Sequence, residues 1–198
     1  MKYIFDFDDV LFNNTKQFKE HMYKCLEKAG ISRTVAETYY TEVREKEFSL
    51  KNFISTLLLR GKVDKKMEDI YEEIMSECPN FINNELLEEI ERLGKNNCYL
   101  VTYGEAEFQQ DKLDRSGISM YFSQTYVVTE SKKEIISRIC EKHKDEQVVF
   151  IDDKPRFLDD VDLKDSPNLI PVQYNKDLDF RELVRAKTSH NLEMAHRR

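Results

Sequence analysis

The sequence is short of several things, and each shortage excludes a class of protein. Long apolar runs are missing: no stretch approaches the ~20 residues that a membrane-spanning helix needs, so no membrane segment is expected. The first residues pass straight from Lys2-Tyr3-Ile4-Phe5 into acids, which is not the pattern of a secretory leader. Cysteine is limited to Cys25, Cys78, Cys98 and Cys140, scattered and without CxxC spacing. Reduced thiols in a cytoplasmic protein are therefore expected, rather than disulfides or zinc. His21, His143, His190 and His196 form no ligand-like pair. A basic surplus is also missing: 31 Lys and Arg against 38 Asp and Glu give a formal net charge of −7, whereas a nucleic-acid binder normally presents a basic face. If a metal is bound, carboxylates must hold it, which points to a hard cation such as Mg²⁺.

What is present suits one α/β domain with a sizeable insertion. The 198 residues are 40% hydrophobic, enough for a core. Residues 2–5 predict a short buried strand. The period then changes, with Phe18, Met22, Leu26 and Ala29 on one helical face. Further helices are predicted at about 33–46, 49–60, 64–76 (broken by Pro79) and 85–93. Beyond Gly94, strands and helices alternate: strand 98–101, helix 105–116, strand 125–128, helix 131–143, strand 148–151, a short helix from Pro155, and a strand at 168–172. Pro171 places that last strand at an edge. Such alternation predicts a doubly wound parallel sheet covered by helices, a Rossmann-like core. The expected division is an α/β core of 1–14 and 85–180, an all-helical insert of 15–84, and a basic, mobile C-terminal tail of 181–198.

The chemistry collects at strand ends, where ligands of open α/β sheets bind. The first strand runs into Asp6, Asp8 and Asp9, the second into Thr102-Tyr103-Gly104, and the strand at 148–151 into Asp152-Asp153. Clustered carboxylates repel one another unless a cation lies between them. Asp6 and Asp152 are natural Mg²⁺ ligands, and a magnesium held by few carboxylates keeps room for a phosphate oxygen. Of the five glycines, Gly30, Gly61, Gly94 and Gly117 each follow a predicted helix. Gly104 is left over, at a strand-to-helix turn where backbone N–H groups favour an anion. Ser131-Lys132-Lys133-Glu134 reads as a capping box with Lys132 at the first helical position and Lys133 at the second. Two cations there oppose the helix dipole, so one of them is expected to point into the acidic crevice and bind an anionic substrate. Helical phase favours Lys132, with Lys133 as the alternative. An EF-hand loop from Asp6 fails, because its sixth and twelfth positions are Leu11 and Gln17. A pair of glycosidase carboxylates survives on spacing but explains neither the lysine nor the Gly104 turn.

In this order the motifs resemble the haloacid dehalogenase superfamily, over about 1–14 and 85–175. Asp6-Phe7-Asp8-Asp9-Val10-Leu11 is similar to its first motif, Leu100-Val101-Thr102 to its second, Lys132 to its third, and Phe150-Ile151-Asp152-Asp153 to its fourth. Asp9 stands where glycine is commoner and Val10 where threonine is commoner. The resemblance implies a nucleophile at Asp6 and a general acid and base at Asp8. It implies Mg²⁺ on the Asp6 side chain, the Asp8 carbonyl and Asp152, with Asp153 acting through water, and phosphoryl binding by Thr102, Lys132 and backbone groups near Tyr103 and Gly104. It also implies that 15–84 is a helical cap. The expected activity is Mg²⁺-dependent hydrolysis of small phosphate monoesters through an aspartyl-phosphate. A phosphomutase or phosphotransferase, or a non-catalytic binding module on the same fold, are the alternatives. The expected partner is a small phosphorylated metabolite, with neither nucleic acid nor membrane, while oligomeric state is left open.

Overall fold

The computed structural model describes residues 1–44 and 48–186. Strand β1 (Lys2–Phe5) is followed by a loop and a wide helical turn, Asn14–Phe18, which feeds helix α1 (Lys19–Lys28). Helices α2 (Arg33–Val43), α3 (Leu50–Gly61) and α4 (Met67–Met75) come next. A short 3₁₀ turn containing Pro79 leads to α5 (Asn84–Leu93). The alternating half consists of β2 (Cys98–Tyr103), α6 (Ala106–Ser116), β3 (Gln124–Val128), α7 (Lys133–Lys142), β4 (Val148–Asp152), α8 (Pro155–Asp159) and β5 (Leu169–Gln173). Residues 180–186 are helical. Residues 45–47, which take in the end of the helix expected at about 33–46, lie outside the described residues, as do 187–198 of the expected tail.

The five strands form one parallel sheet in the order β3-β2-β1-β4-β5. β1 is central, and the strand order reverses direction beside it, so its carboxyl end opens on the crevice where such sheets bind ligands. Period-2 alternation divides the strand side chains between two cores. Phe5, Leu100, Val149 and Ile151 face α5, α6 and the helical segment. Ile4, Tyr99, Val101 and Phe150 face α7 and α8 through Ile136, Ile139 and Phe157. β5 is an edge strand, and Pro171 sits there opposite Phe150, where a missing N–H is tolerated.

Three local expectations are corrected. β2 does not end at Val101: Thr102 and Tyr103 pair with Val127 and Val128 of β3, so Thr102 belongs to the sheet. β4 likewise takes in Asp152, which is paired with Gln173. Gly61 does not terminate α3 from outside; it is the last helical residue, and Lys62 takes the left-handed cap at φ +49°.

The helical segment between β1 and α5 is not separately cored. Leu57, Ile74, Phe18 and Phe12 belong to one buried cluster with Phe5 of the sheet and Phe108 of α6. Leu57→Ala, at a fully buried site, should therefore lower stability by about 2–5 kcal/mol within a single unfolding transition. Urea titration followed by circular dichroism and by tyrosine fluorescence would test this. A separate early transition confined to helix signal would show that the segment unfolds on its own.

Candidate active site

β1 delivers Asp6 to the crevice in a fixed register. The Asp6 N–H donates to the Ile151 carbonyl at 2.9 Å, which sets Asp6 beside Asp152 at the end of the neighbouring strand. Both acids are buried. Lys132 Nζ lies 2.7 Å from Asp6 Oδ1 and 2.6 Å from Asp152 Oδ2, bridging the two strands. Its ammonium also sits 4.4 Å from the Phe157 ring centroid, and the residue is 1% exposed. Lys133 is exposed. Of the two candidate lysines the fold brings Lys132 to the acids.

The expected capping box is not formed. α7 begins at Lys133, and the Lys132 carbonyl accepts from the Ile136 N–H at 3.0 Å, so Lys132 is the cap residue. The Ser131 hydroxyl accepts from the Lys133 N–H at 3.0 Å and donates to Asp160, so the α8 side holds it in a different turn. The lysine thus stays at the positive end of α7, and its ammonium is met by the carboxylates at the two strand ends.

Asp6, Asp152 and Asp153 each place a carboxylate oxygen within 4.8 Å of the others. Burial, reinforced by Asp152, pushes the Asp6 carboxyl up to about 7, although Lys132 and Lys154 pull it down. Burial likewise pushes Asp153 up to about 6 against the pull of Lys154. Asp153 Oδ1 is buried with no hydrogen-bond partner among the described residues. An all-oxygen donor set with one orphaned oxygen fits a hard divalent cation. Asp152 Oδ1 is meanwhile occupied by the Lys154 N–H at 2.9 Å.

Asp8 lies apart from this cluster. Its Oδ1 is 2.5 Å from Lys112 Nζ and its Oδ2 accepts from Gln109 Nε2 at 2.8 Å, both on α6. Neither partner was expected from sequence. The signal available was two polar residues, Gln109 and Lys112, on the same buried face as Phe108 and Leu113. Thr102 is fully buried, with Oγ1 3.5 Å from Gln109 Oε1. Asp9 has φ +62°, a conformation natural to the glycine commoner at that position. Aspartate is among the residues that tolerate it, and its carboxylate accepts from the Thr15 N–H at 2.8 Å.

Gly104 acts differently from expectation. Its N–H is spent on the Val128 carbonyl at 3.0 Å, so it offers no donor to an anion. It has φ +153°, and a Cβ there would lie 2.7 Å from Gln109 Nε2. The glycine makes room for Gln109 to reach Asp8. The Tyr103 ring forms crevice wall, 5.4 Å from Phe157. A cavity of about 480 Å³ opens over these residues, lined by Asp8, Tyr40, Arg44, Phe48, Tyr103 and Arg156 among others. Its walls therefore come from both the sheet and the helical segment.

A parallel sheet with acids, a lysine and a hydroxyl at its switch point defines a Rossmann-like α/β protein with a carboxylate-lined site. The profile of the haloacid dehalogenase-like hydrolases matches residues 3–159, and the chain belongs to that family. No curated protein sequence matches it. Among solved structures, a haloacid dehalogenase-like hydrolase from Burkholderia xenovorans is 17% identical over 86% of this chain and 80% of its own, with a TM-score of 0.68. A haloacid dehalogenase family enzyme from Bacteroides thetaiotaomicron, in complex with magnesium and inorganic phosphate, is 16% identical over 92% and 98%, with a TM-score of 0.60. A protein from Thermotoga maritima described as a β-phosphoglucomutase is 18% identical over 94% and 92%, with a TM-score of 0.55. At these identities the likeness is one of fold. Among the described residues no helix is long and apolar enough to cross a membrane.

The raised carboxyls give the metal-free protein a defined pH dependence. Asp6 and Asp153 bind protons more tightly in the folded state than in the unfolded chain. Their contribution to stability is present below the ordinary carboxylate range of ~4. It is lost as pH rises through about 6 and about 7. In excess chelator, Tm should fall between ~pH 4 and ~pH 7.5 more steeply than in Asp153→Asn, and Mg²⁺ at ~pH 7.5 should raise it again. Equal slopes in the two proteins, with no response to Mg²⁺, would refute the assignment of this cluster.

Proposed function

We propose that the protein is a Mg²⁺-dependent phosphohydrolase that cleaves small phosphate monoesters through an aspartyl-phosphate on Asp6. The observation that carries this reading is the buried Asp6–Lys132–Asp152 bridge at the carboxyl end of the central strand. A buried carboxylate one residue past the end of a strand, with a cation on one oxygen only, is placed to attack an electrophile approaching from the crevice. The magnesium and inorganic phosphate of the Bacteroides structure accord with it.

In this reading Asp6 attacks phosphorus and the alcohol oxygen departs with the proton of Asp8. Asp8, now a carboxylate, then takes a proton from water as that water attacks the phosphoryl group, and phosphate leaves Asp6 free. Thr102 and Lys132 bind the phosphoryl oxygens, the electrostatic share of the work. The side chains of Asp6, Asp152 and Asp153, with the Asp8 main-chain carbonyl, would hold the Mg²⁺. When bound, the ion supplies charge neutralisation for the transferring group. Residues 15–84 serve as a cap that selects the substrate. Its Tyr40, Arg44 and Phe48 line the cavity opposite Tyr103 and Arg156 of the core, and so face the part of a substrate away from phosphorus.

Asp6→Asn should leave the fold intact and lower phosphate release by at least about 10³-fold. Phosphate release should also stop in chelator and return with Mg²⁺. A folded Asp6→Asn protein with near-normal rates would sink the nucleophile, and phosphate found on a second hydroxyl of the substrate would make the enzyme a phosphomutase. Tyr40→Ala and Arg156→Ala should change relative kcat/KM among phosphorylated metabolites by about tenfold or more, while p-nitrophenyl phosphate turnover stays within about threefold. A uniform fall on all substrates would remove the cap and Arg156 from substrate selection.

A further inference from the structure

Lys112 is a buried cation that the proposed catalytic steps do not use. It is 0% exposed, and its ammonium lies 4.8 to 6.0 Å from the ring centroids of Phe108, Phe12, Phe7 and Phe18. Its one ion-pair partner among the described residues is Asp8, at 2.5 Å. A methionine or leucine in an aromatic box of this kind would pack without the cost of taking an ammonium out of water. Buried ion pairs are often neutral or unfavourable for stability relative to apolar replacements of the same volume. Stability is therefore a poor reason for a lysine here, whereas its location on Asp8 is a specific one.

The second arm is Gln109, one helical turn before Lys112 on the same face of α6. Its amide N–H₂ donates to Asp8 Oδ2 at 2.8 Å and toward the Tyr103 carbonyl at 3.3 Å. Gly104 is what lets it through, since any Cβ there would collide with its side chain. Each carboxyl oxygen of Asp8 thus has its own donor from one rigid helix, and rotation of the carboxyl group is blocked. Phe7, between Asp6 and Asp8, packs 5.0 Å from Phe12 in the wall of the same box.

We propose that Lys112 and Gln109 are positioning residues that hold the Asp8 carboxyl in the orientation required to protonate the leaving alcohol. The inference rests on the phosphohydrolase reading above. It assigns the pair no contact with the substrate; they act through Asp8. An orientation effect of this kind has a signature that general damage lacks. A good leaving group such as p-nitrophenolate departs with little need of a proton, whereas an alkoxide cannot depart without one.

The test uses the full chain and three esters, p-nitrophenyl, phenyl and ethyl phosphate, with kcat/KM for each as the readout because it reports the steps up to departure of the alcohol. Lys112→Met keeps the volume and suits the aromatic box, Gln109→Met removes the other arm independently, and Lys112→Arg keeps the cation. The expected result is a loss that grows with leaving-group basicity. Lys112→Met and Gln109→Met should lose at least about tenfold more on ethyl phosphate than on p-nitrophenyl phosphate, and Lys112→Arg should recover part of the difference. If each variant loses the same factor on all three esters, or loses nothing, the positioning role is wrong even though the enzyme is a phosphatase. If the unaltered protein releases phosphate from none of the esters with Mg²⁺ present, the phosphohydrolase reading itself fails, a result separable from the first because it needs no variant. Gln109→Met decides the matter should the lysine variants not fold.

Discussion

The bridge from Lys132 to Asp6 and Asp152 is the contact on which the crevice depends. Parallel pairing forces the ends of β1 and β4 together, because Phe5 is level with Ile151 and the next residue on each strand is an aspartate. Neither acid can move away without giving up sheet register, and both are buried. Removing Lys132 from such a group would leave buried carboxylates uncompensated, which is strongly destabilising. The sheet can carry its acids only if cations are brought to them, and Lys132 arrives from the start of α7 for that purpose. Asp153 joins the same cluster, and Lys154 acts on both Asp6 and Asp153. With all three carboxyls ionised, three carboxylates against two ammonium groups leave the crevice one net negative charge. A divalent cation would reverse that sign and turn an acidic pocket into one that attracts a phosphate dianion.

The helical segment is joined to this centre mainly through aromatic packing. Phe12, Phe18, Phe81 and Phe108 run from the loop after β1 to α6 in ring contacts of 5.4 to 6.0 Å. Polar links accompany them: Arg115 to Glu72, and Tyr71 to Asp111 at 2.7 Å. Exposed ion pairs contribute about 0–1 kcal/mol each, so the buried rings set how the segment sits. Helix α6 consequently has two attachments. Its outer side binds α4, and its inner face presents Gln109 and Lys112 to Asp8. Whatever changes the seat of the helical segment on α6 acts on the helix that also holds Asp8.

The sheet was legible in the sequence because its signals are local. Short apolar runs ending in acids, glycines after helical stretches and Pro171 at the edge each speak within a few residues. Helix α7 shows the limit of that kind of reading. Lys132 was distinguishable from Lys133 by helical phase, yet the predicted capping box was wrong, because the Ser131 hydroxyl is drawn to Asp160, a residue distant in the chain. Gly104 was recognised as unusual, but as a donor of its N–H. Its actual contribution, space for Gln109, depends on a side chain on the following helix. The Lys112–Asp8 pair was out of reach, since the partners stand 104 positions apart and nothing near Asp8 announces a lysine. A lysine on an apolar helical face reads as solvated until the four phenylalanines around it are assembled from separate segments.

The different surroundings of Asp6 and Asp8 follow from how the chain leaves β1. In a continued strand, residues two apart would point the same way and share one environment. Here the chain folds back at once: the Leu11 and Phe12 N–H groups both donate to the Phe7 carbonyl, and Asp9 takes φ +62°. That turn leaves Asp6 with β4 and Lys132, and Asp8 with α6. The two carboxyls therefore have separate ion-paired lysines, Lys132 for Asp6 and Lys112 for Asp8, while Lys154 acts on both from a distance. Such separation suits the proposed two-step chemistry, in which one carboxyl would remain a nucleophile while the other gives up and regains a proton. Asp9 is the hinge of that separation. Its left-handed backbone costs more than a glycine's would, and its carboxylate offsets the cost by receiving Thr15 at the entry to the helical segment. The residue that departs from the commoner family pattern thus ties the turn between the two acids to the start of the segment above them.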